Sequence, residues 1–460
     1  MKRACKFHGA AILAGAILIA GCAKKERHIF SSLKDAATVA QLKSFVAEKQ
    51  AQADVATNEA APGFAPFFAA AKTGDWLAVS NVFANFHNHA GQYDHSGKTD
   101  DRLHGPRWEA VKEVWGAFDA FCVGDEKYAA AFGRDIIDSI PPGSIYFGGT
   151  DPGRFVVTAM CRSQVAGDPF YVLTQNALAD GTYLEYLRDL YGEKIYVPTA
   201  EDSQRCFADY TQDAARRMEQ HQLKPGEDIH KDASGKVQVS GQVAVMAING
   251  RLVKTVFDKN PQPDFYVEES FPLDWMYPQL EPHGLIFKLD RQPMSRLSDE
   301  VVQKDHDYWA KYVQPMIGGW LNDDTSVAEI AAFAEKTFGR HDFSVFKGDP
   351  RFIKNDYAHK MFSKLRSSIA GLYAWRASHA AGTEDKERMA READFAFRQA
   401  WALCPDSPEA VYRYVNFLLE QNRGSDALLV AETAAEMPES KANGQLRSLV
   451  QNIKQYQNRN

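Results

Sequence analysis

The character of the chain changes at Pro141-Pro142-Gly143-Ser144-Ile145-Tyr146-Phe147-Gly148-Gly149-Thr150-Asp151. Residues 144–147 are apolar and β-rich, with a proline–glycine stop before them and a glycine turn after them. A helical pattern follows over 153–163, and a second short strand is predicted over 170–173 before the polar Thr174-Gln175-Asn176. Buried strands that alternate with helices predict a parallel sheet covered on both faces.

The alternation continues beyond this stretch. Helices are predicted over 181–191, 206–222 and 241–257, and strands over 194–197, 237–239, 265–268 and 285–289. Gly192 is a typical stop for the first of these helices. The sequence therefore predicts an α/β fold over 141–295, a parallel Rossmann-like sheet domain flanked by helices.

The regions on either side, 64–140 and 296–460, have helical patterns. In the first, apolar residues recur every three or four positions and mark one helix face; they are Trp108, Val111, Val114, Trp115 and Phe118. In the second, Ser326-x-x-Glu329 is a capping box that opens a helix ending near Gly339.

The C-terminal tail carries a repeat pattern. Ala393, Phe397, Ala400 and Pro405 resemble the second helix of a tetratricopeptide repeat, and the next unit follows with Val411, Tyr414, Val415 and Leu418, then Ala427, Ala431 and Ala434. An upstream first helix is predicted over 367–375, with a turn extended over 381–388. The resemblance implies C-terminal α-helical tetratricopeptide-like repeats that bind a protein partner; generic alanine-rich hairpins are the alternative.

The N-terminus reads as an export signal, with basic Lys2 and Arg3 before an apolar stretch over 9–21. Leu18-Ile19-Ala20-Gly21-Cys22 resembles the lipobox of bacterial lipoproteins. That resemblance implies a signal peptide over 1–22 and a diacylglycerol on Cys22, which anchors the protein to a membrane in the cell envelope. By the family's rule, Ala23 favours the outer membrane, with the protein facing the periplasm. An ordinary signal with a chance cysteine is the alternative, and 23–63 is predicted as a helical tether.

Composition excludes one class of partner. The net charge is −7 and no basic stripe appears, which argues against nucleic acid. Past Cys22, no apolar run is long enough to cross a bilayer. Four further cysteines lie in the body of the chain, and disulfides and buried thiols both remain open for them: Cys122, Cys161, Cys206 and Cys404.

The middle of the chain carries a second resemblance, in 142–151, 172–188, Phe265-Tyr266-Val267 and 280–289. These stretches are similar to the soluble C-terminal region of multi-spanning bacterial membrane proteins related to protein O-mannosyltransferases. In that group the transferase chemistry lies in a membrane half, which this sequence does not contain. The resemblance therefore implies a fold and a role in recognising glycans or acceptor proteins, without the catalytic activity.

Polar residues follow two of the predicted strands. In an open parallel sheet, ligands bind beyond the carboxyl ends of the strands, so Gly149, Asp151, Asn176 and Asp180 are candidate ligand-binding residues for a sugar or nucleotide. A helix N-terminus after each turn favours an anion or a polyol oxygen. The alternative is structural: Asp151 caps the helix and the glycines form a tight turn.

Two other clusters contain residue types that are common in binding sites, but neither predicts a site. His87, His89, His95 and His104 match no metal motif, so no metal ligand is assigned. Glu268 and Glu269 lie beside aromatic residues, as in sugar sites, but neighbours on a strand point to opposite faces, and the pair is interpreted as a solvated strand end. No catalytic residue and no cofactor is assigned.

These patterns predict a non-catalytic envelope lipoprotein that mediates protein–protein interaction through its helical repeats. Two alternatives stay open. One is a glycan- or small-ligand-binding protein that uses the strand ends, and the other is an accessory subunit of a membrane glycosyltransferase. Whether the chain is an enzyme is left undecided.

Overall fold

The structure is a computed structural model that describes residues 32–54, 63–87, 103, 106–149, 152–161, 169–233, 235–268, 273–440 and 444–457. Within it the chain forms two compact units. The described parts of Met1–Phe118 and Thr158–Pro263 belong to unit 1, and those of Asp119–Val157 and Asp264–Asn460 to unit 2. The predicted signal peptide, Cys22 and Asp151 lie outside the described residues.

The described residues are mostly helical. The helices are α1 (Ala36–Asp54), α2 (Ala65–Thr73), α3 (Trp76–His87), α4 (Pro106–Val123), α5 (Glu126–Ser139), α6 (Pro152–Met160), α7 (Gly181–Tyr191), α8 (Ala200–Glu219), α9 (Gly241–Lys259), α10 (Asp299–Ile317), α11 (Val327–Ala334), α12 (Pro350–Ile353), α13 (Asp356–His379), α14 (Thr383–Leu403), α15 (Pro408–Glu420), α16 (Gly424–Glu436) and α17 (Gly444–Gln457). The strands are β1 (Ile145–Gly148), β2 (Tyr171–Thr174), β3 (Asp228–Lys231), β4 (Val237–Ser240), β5 (Phe265–Val267), β6 (Leu280–His283) and β7 (Ile286–Leu289). No described helix combines the length and apolar character that a bilayer span needs.

Unit 1 has an aromatic core built on α4. The Phe83 ring stacks on Trp115 at 4.2 Å between centroids and on Trp108 at 5.5 Å. All five residues of the predicted apolar face of α4 are buried, which confirms that prediction. Stacked rings of this kind add to the free energy gained from burying their area.

The prediction of a tether over 23–63 is wrong for α1. This helix packs into unit 1 with Leu42, Phe45 and Val46 buried. Its Lys49 is also buried, with Nζ 2.5 Å from the Glu113 carboxylate and 2.7 Å from the Tyr186 hydroxyl. A charge without solvent is tolerated when it is paired in this way, so α1 is an integral part of unit 1.

Two predicted strands of unit 1 have other roles. Residues 194–197, all described, form no strand, because Asn260 takes the place of a neighbouring strand: its Oδ1 accepts from the Tyr196 N–H at 2.7 Å and its Nδ2 donates to the Tyr196 carbonyl at 3.0 Å. β4 does form, but it pairs antiparallel with β3 in a separate hairpin. No residue of either strand is fully buried, unlike the central strands of a parallel sheet.

The sheet of unit 2 is mixed, which corrects the prediction of a parallel Rossmann-like sheet. Its strands lie in the order β1-β5-β7-β6; β1 and β5 are parallel, and the other two pairs are antiparallel. The reason lies in the turn between β6 and β7. Gly284 has a φ of +64° there, and so short a connection can join only antiparallel strands.

The units also divide the chain differently from the predicted regions 64–140, 141–295 and 296–460. β1 pairs with β5 across a long stretch of sequence, Ile145 opposite Phe265. The intervening residues from Thr158 to Pro263 belong to unit 1. The α/β region predicted as one domain is therefore shared between two units.

The C-terminal tail consists of successive helices, as predicted. α13 packs on α14, α15 on α16 and α16 on α17. The small residues predicted at the helix interfaces are fully buried: Ala393, Ala400, Ala427, Ala431 and Ala434. The extended turn over 381–388 is wrong, because α14 already begins at Thr383.

Candidate functional site

The carboxyl ends of β1 and β5 hold a buried carboxylate in unit 2. Glu268 follows β5 directly, and only 2% of its surface is exposed. Its backbone N–H donates to the Phe147 carbonyl at 2.9 Å, which extends the pairing with β1 by one residue. Its side-chain Oε2 accepts from the Gly149 N–H at 3.0 Å. The interpretation of Glu268 as a solvated strand end is therefore wrong.

Glycines make room for this carboxylate. A Cβ atom on Gly153, in the first turn of α6, would overlap the Glu268 carboxyl group. A Cβ atom on Gly148 would lie 2.9 Å from the Gly153 carbonyl oxygen, which also accepts from the Tyr146 hydroxyl at 3.0 Å. Gly153 and Gly148 thus allow the Glu268 carboxyl group and the Gly153 carbonyl to pack closely against the backbone of the same chain.

Lys364 of α13 balances the charge. Its Nζ lies 3.5 Å from Glu268 Oε1, and 16% of the lysine side chain is exposed. The N-terminal end of α6 also favours a negative charge at this position. Glu268 therefore occupies, as part of the chain itself, the place beside Gly149 where an anionic ligand was expected.

Asn176 and Asp180 lie in unit 1. The Asn176 carbonyl accepts from Asn249 Nδ2 at 3.0 Å, and Asn249 Oδ1 accepts from the Ala179 N–H at 2.7 Å. Asp180 is the N-cap of α7 and accepts from the Thr182 N–H at 2.9 Å and the Thr182 hydroxyl at 2.8 Å. These contacts shape the turn between β2 and α7, and they give Asp180 a structural role.

The chain matches no protein-family model, no curated protein and no solved structure.

A second polar cluster lies between the start of α13 and the loop after α14. His359 Nδ1 lies 3.0 Å from Cys404 Sγ, and Cys404 Sγ lies 3.2 Å from Asp406 Oδ1. All three residues are buried. Burial raises the pKa of the Cys404 thiol and lowers the pKa of His359. No sequence pattern pointed to this cluster, because His359 and Cys404 are 45 residues apart. Of the histidines that match no metal motif in the sequence, His89, His95 and His104 lie outside the described residues, and His87 ends α3.

A third feature is a polar face shared by α13, α15 and α17. Arg413 Nη1 of α15 donates to the Ser367 hydroxyl of α13 at 3.2 Å, and the Tyr412 hydroxyl donates to the Gln445 carbonyl of α17 at 3.1 Å. Asn416 lies one turn further along α15, where it is half-buried. We call Ser367, Tyr412, Arg413, Asn416 and Gln445 the polar helix face; Ser367 is buried within it, and the other four residues are partly or fully exposed.

The four cysteines left open by the sequence are reduced thiols in the described structure: Cys122, Cys161, Cys206 and Cys404. Cys161 and Cys206 are buried in unit 1, and Cys404 is buried in unit 2. The Cys161 and Cys206 side chains fill space in the core of unit 1 as small apolar groups do, whereas Cys404 belongs to the polar cluster with His359 and Asp406.

Proposed function

We propose that this chain is a lipid-anchored protein of the bacterial cell envelope that binds another protein through its C-terminal helices. The observation that carries the proposal is the polar helix face, to which three alternate helices of the tail contribute, α13, α15 and α17. It combines a tyrosine, an arginine and an asparagine that are only partly covered by the chain. Tyrosine and arginine are enriched among the residues that dominate binding energy in protein interfaces.

The helices behind this face form a fixed support. The Arg376 guanidinium of α13 donates to four backbone carbonyls of the sheet region, those of Tyr277, Pro278, Leu280 and Met294, at 2.6–3.3 Å. The Tyr277 and Trp375 rings stack at 5.4 Å. A surface held in place before binding loses less entropy when a partner docks.

Two candidate residues after β1 and β2, Gly149 and Asp180, favour the proposal of protein binding over that of a small ligand, because both already have partners within the chain. Beside Gly149 the Glu268 carboxylate fills the position of an anion, and Asp180 is engaged in capping α7. A glycan or nucleotide would have to displace these hydrogen bonds, each of which contributes about 1.5–3 kcal/mol because a charged group takes part. The alternative of a glycan-binding protein or glycosyltransferase subunit therefore has weaker support.

The envelope location is proposed from the N-terminal sequence. Leu18-Ile19-Ala20-Gly21-Cys22 has the residues of a lipobox after a short apolar stretch. Tetratricopeptide-like identity of the tail is likewise a proposal, supported by the buried alanines between successive helices.

Site-specific photo-crosslinking tests the function. A photoreactive residue replaces Asn416 or Tyr412 in the full-length protein in living cells, and the matched control carries it at Ser425, an exposed position of α16. We expect one adduct of the same mass from both α15 positions, absent at Ser425 and weakened at least tenfold by Arg413→Glu. Equal adducts at all three positions, or none at α15, would refute binding through this face.

A further inference from the structure

We propose that His359, Cys404 and Asp406 bind one thiophilic divalent cation, for which Zn²⁺ is the best fit. The three residues come from two places in the chain: His359 from the first turn of α13, and Cys404 and Asp406 from the loop between α14 and α15. Their imidazole nitrogen, thiol sulfur and carboxylate oxygen all lie within 4.8 Å of one another. These are the three ligand types that zinc takes in proteins.

The separations of the ligand atoms suit a tetrahedral ion. Zn–S and Zn–N bonds of about 2.3 and 2.0 Å place two tetrahedral ligand atoms roughly 3.5 Å apart. The nitrogen–sulfur and sulfur–oxygen separations are 3.0 and 3.2 Å. An outward shift of a few tenths of an ångström at each side chain would admit the ion. The second oxygen of Asp406 or a water molecule completes the coordination.

Charge favours a divalent ion in this place. Binding replaces the thiol proton of Cys404, which leaves to solvent, and forms one sulfur–metal bond; no electron is transferred. The thiolate and the Asp406 carboxylate then carry two negative charges, which the cation neutralises. A neutral assembly is the form that a buried site tolerates best, and the three residues are at most 6% exposed.

Asp356 is placed to orient the histidine once a metal is bound. Its Oδ1 lies 3.6 Å from His359 Nε2, on the opposite side of the ring from Cys404. A slight approach of this carboxylate would let it accept from the Nε2 N–H and hold the ring with Nδ1 facing the metal, as in many zinc sites. Because the ligands join α13 to the α14–α15 loop, the ion would stabilise the helical tail and take a structural role.

The test uses the full-length protein in detergent, without a histidine tag, refolded with Zn²⁺ or with EDTA. We expect about one zinc per chain by elemental analysis, a higher unfolding temperature with zinc than with EDTA, and a thiolate-to-metal absorption band when Co²⁺ replaces zinc. Cys404→Ser should abolish the band and the zinc-dependent rise in unfolding temperature. Asp406→Asn should weaken zinc binding at least tenfold. This variant tests the site if Cys404→Ser does not fold.

Two controls locate the metal. Cys206→Ser removes a buried thiol of unit 1 and should leave zinc content and the cobalt band unchanged. The double change His89→Ala and His95→Ala removes the histidines of another segment and should also have no effect. Three results would overturn the proposal. The first is loss of zinc in the double variant, and the second is retention of zinc in Cys404→Ser. The third is a wild-type protein that refolds with zinc but holds less than a tenth of an ion per chain. The last result would mean that the three residues are only a hydrogen-bonded cluster.

Discussion

The Arg366 guanidinium and the Asp305 carboxylate lie 2.7 Å apart, and neither side chain has any solvent exposure. The Tyr373 hydroxyl donates to the same carboxylate at 2.9 Å, and Arg366 Nε donates to Gln399 Oε1 at 2.8 Å. The Trp309 ring lies under the guanidinium at 5.1 Å. One buried ion pair thus connects α10, α13 and α14.

Removing one partner of this pair should destabilise the protein strongly. Arg366→Met leaves the Asp305 charge buried without its guanidinium, and we expect a loss of about 3–5 kcal/mol in the free energy of unfolding, measured by urea denaturation. The control is Lys304→Met on α10, whose partner Glu300 lies 2.7 Å away at the exposed surface. That change should cost less than about 0.5 kcal/mol. Similar losses in the free energy of unfolding of both variants would show that burial of the ion pair does not determine the effect.

Gly153→Ala should destabilise unit 2 because its methyl group collides with the Glu268 carboxylate. Overpacking of this kind costs about 1–3 kcal/mol. In the background of Glu268→Ala the collision disappears, so the same change should cost much less. A double-mutant cycle measured by urea denaturation gives this coupling directly.

The matched control is Gly371→Ala, in the middle of α13. An added Cβ meets nothing within 4 Å there, and alanine favours a helix over glycine by up to about 1 kcal/mol. We expect Gly371→Ala to stabilise the protein. If both alanine variants change the free energy of unfolding in the same direction, the contact between Gly153 and Glu268 does not explain the effect of Gly153→Ala.

Asp119 should make stability depend on pH. Burial raises the pKa of its carboxyl group to about 6. Between about pH 4 and pH 6 the folded chain therefore binds more protons at this residue than the unfolded chain, so its contribution to stability falls as pH rises through that window. Asp119→Asn removes the titration and should be more stable than the wild type at pH 8, by at most about 3 kcal/mol, and similar at pH 4.

Denaturation at the two pH values measures the Asp119 effect. The matched variant is Asp209→Asn, in which the replaced carboxyl group is exposed on α8. It should leave the pH profile unchanged. A profile for Asp119→Asn that parallels the wild type would show that this carboxyl group does not titrate between pH 4 and 6.

Cys22→Ser should prevent lipid attachment. Without the thiol no diacylglycerol can be transferred, so we expect labelled palmitate to be incorporated into the wild type and not into this variant. Cys5→Ser is the control, since Cys5 lies within the segment that processing would remove, and it should label normally. Labelling of Cys22→Ser at the wild-type level would disprove the proposed anchor.

Local patterns predicted the helices and several strands well. The periodicity of Trp108 and Phe118, the stop at Gly192 and the capping box at Ser326 all reflect contacts within one element, and the structure has each of them. The capping box is complete, since Ser326 Oγ accepts from the Glu329 N–H and the Glu329 carboxylate accepts from the Ser326 N–H. Such features depend on residues a few positions apart and can be read from sequence.

Features that depend on distant residues were not predicted. The direction of β7 depends on a turn at Gly284, and the absence of a strand at Tyr196 depends on Asn260. Likewise, the sequence predicted an exposed Glu268, because its partners Gly149 and Lys364 are both distant from it in the chain. A short apolar run indicates a strand, but it does not indicate which strand will pair with it or in which direction.

The interleaving of the two units has a consequence for biosynthesis. The segment from Thr158 to Pro263 is synthesised after β1 and before β5, so Ile145 leaves the ribosome long before its parallel partner Phe265. During that interval the edge of β1 that later pairs with β5 exposes unpaired backbone groups, which can pair with other chains. Truncation at Pro263 would make this state permanent, and we expect such a fragment to aggregate.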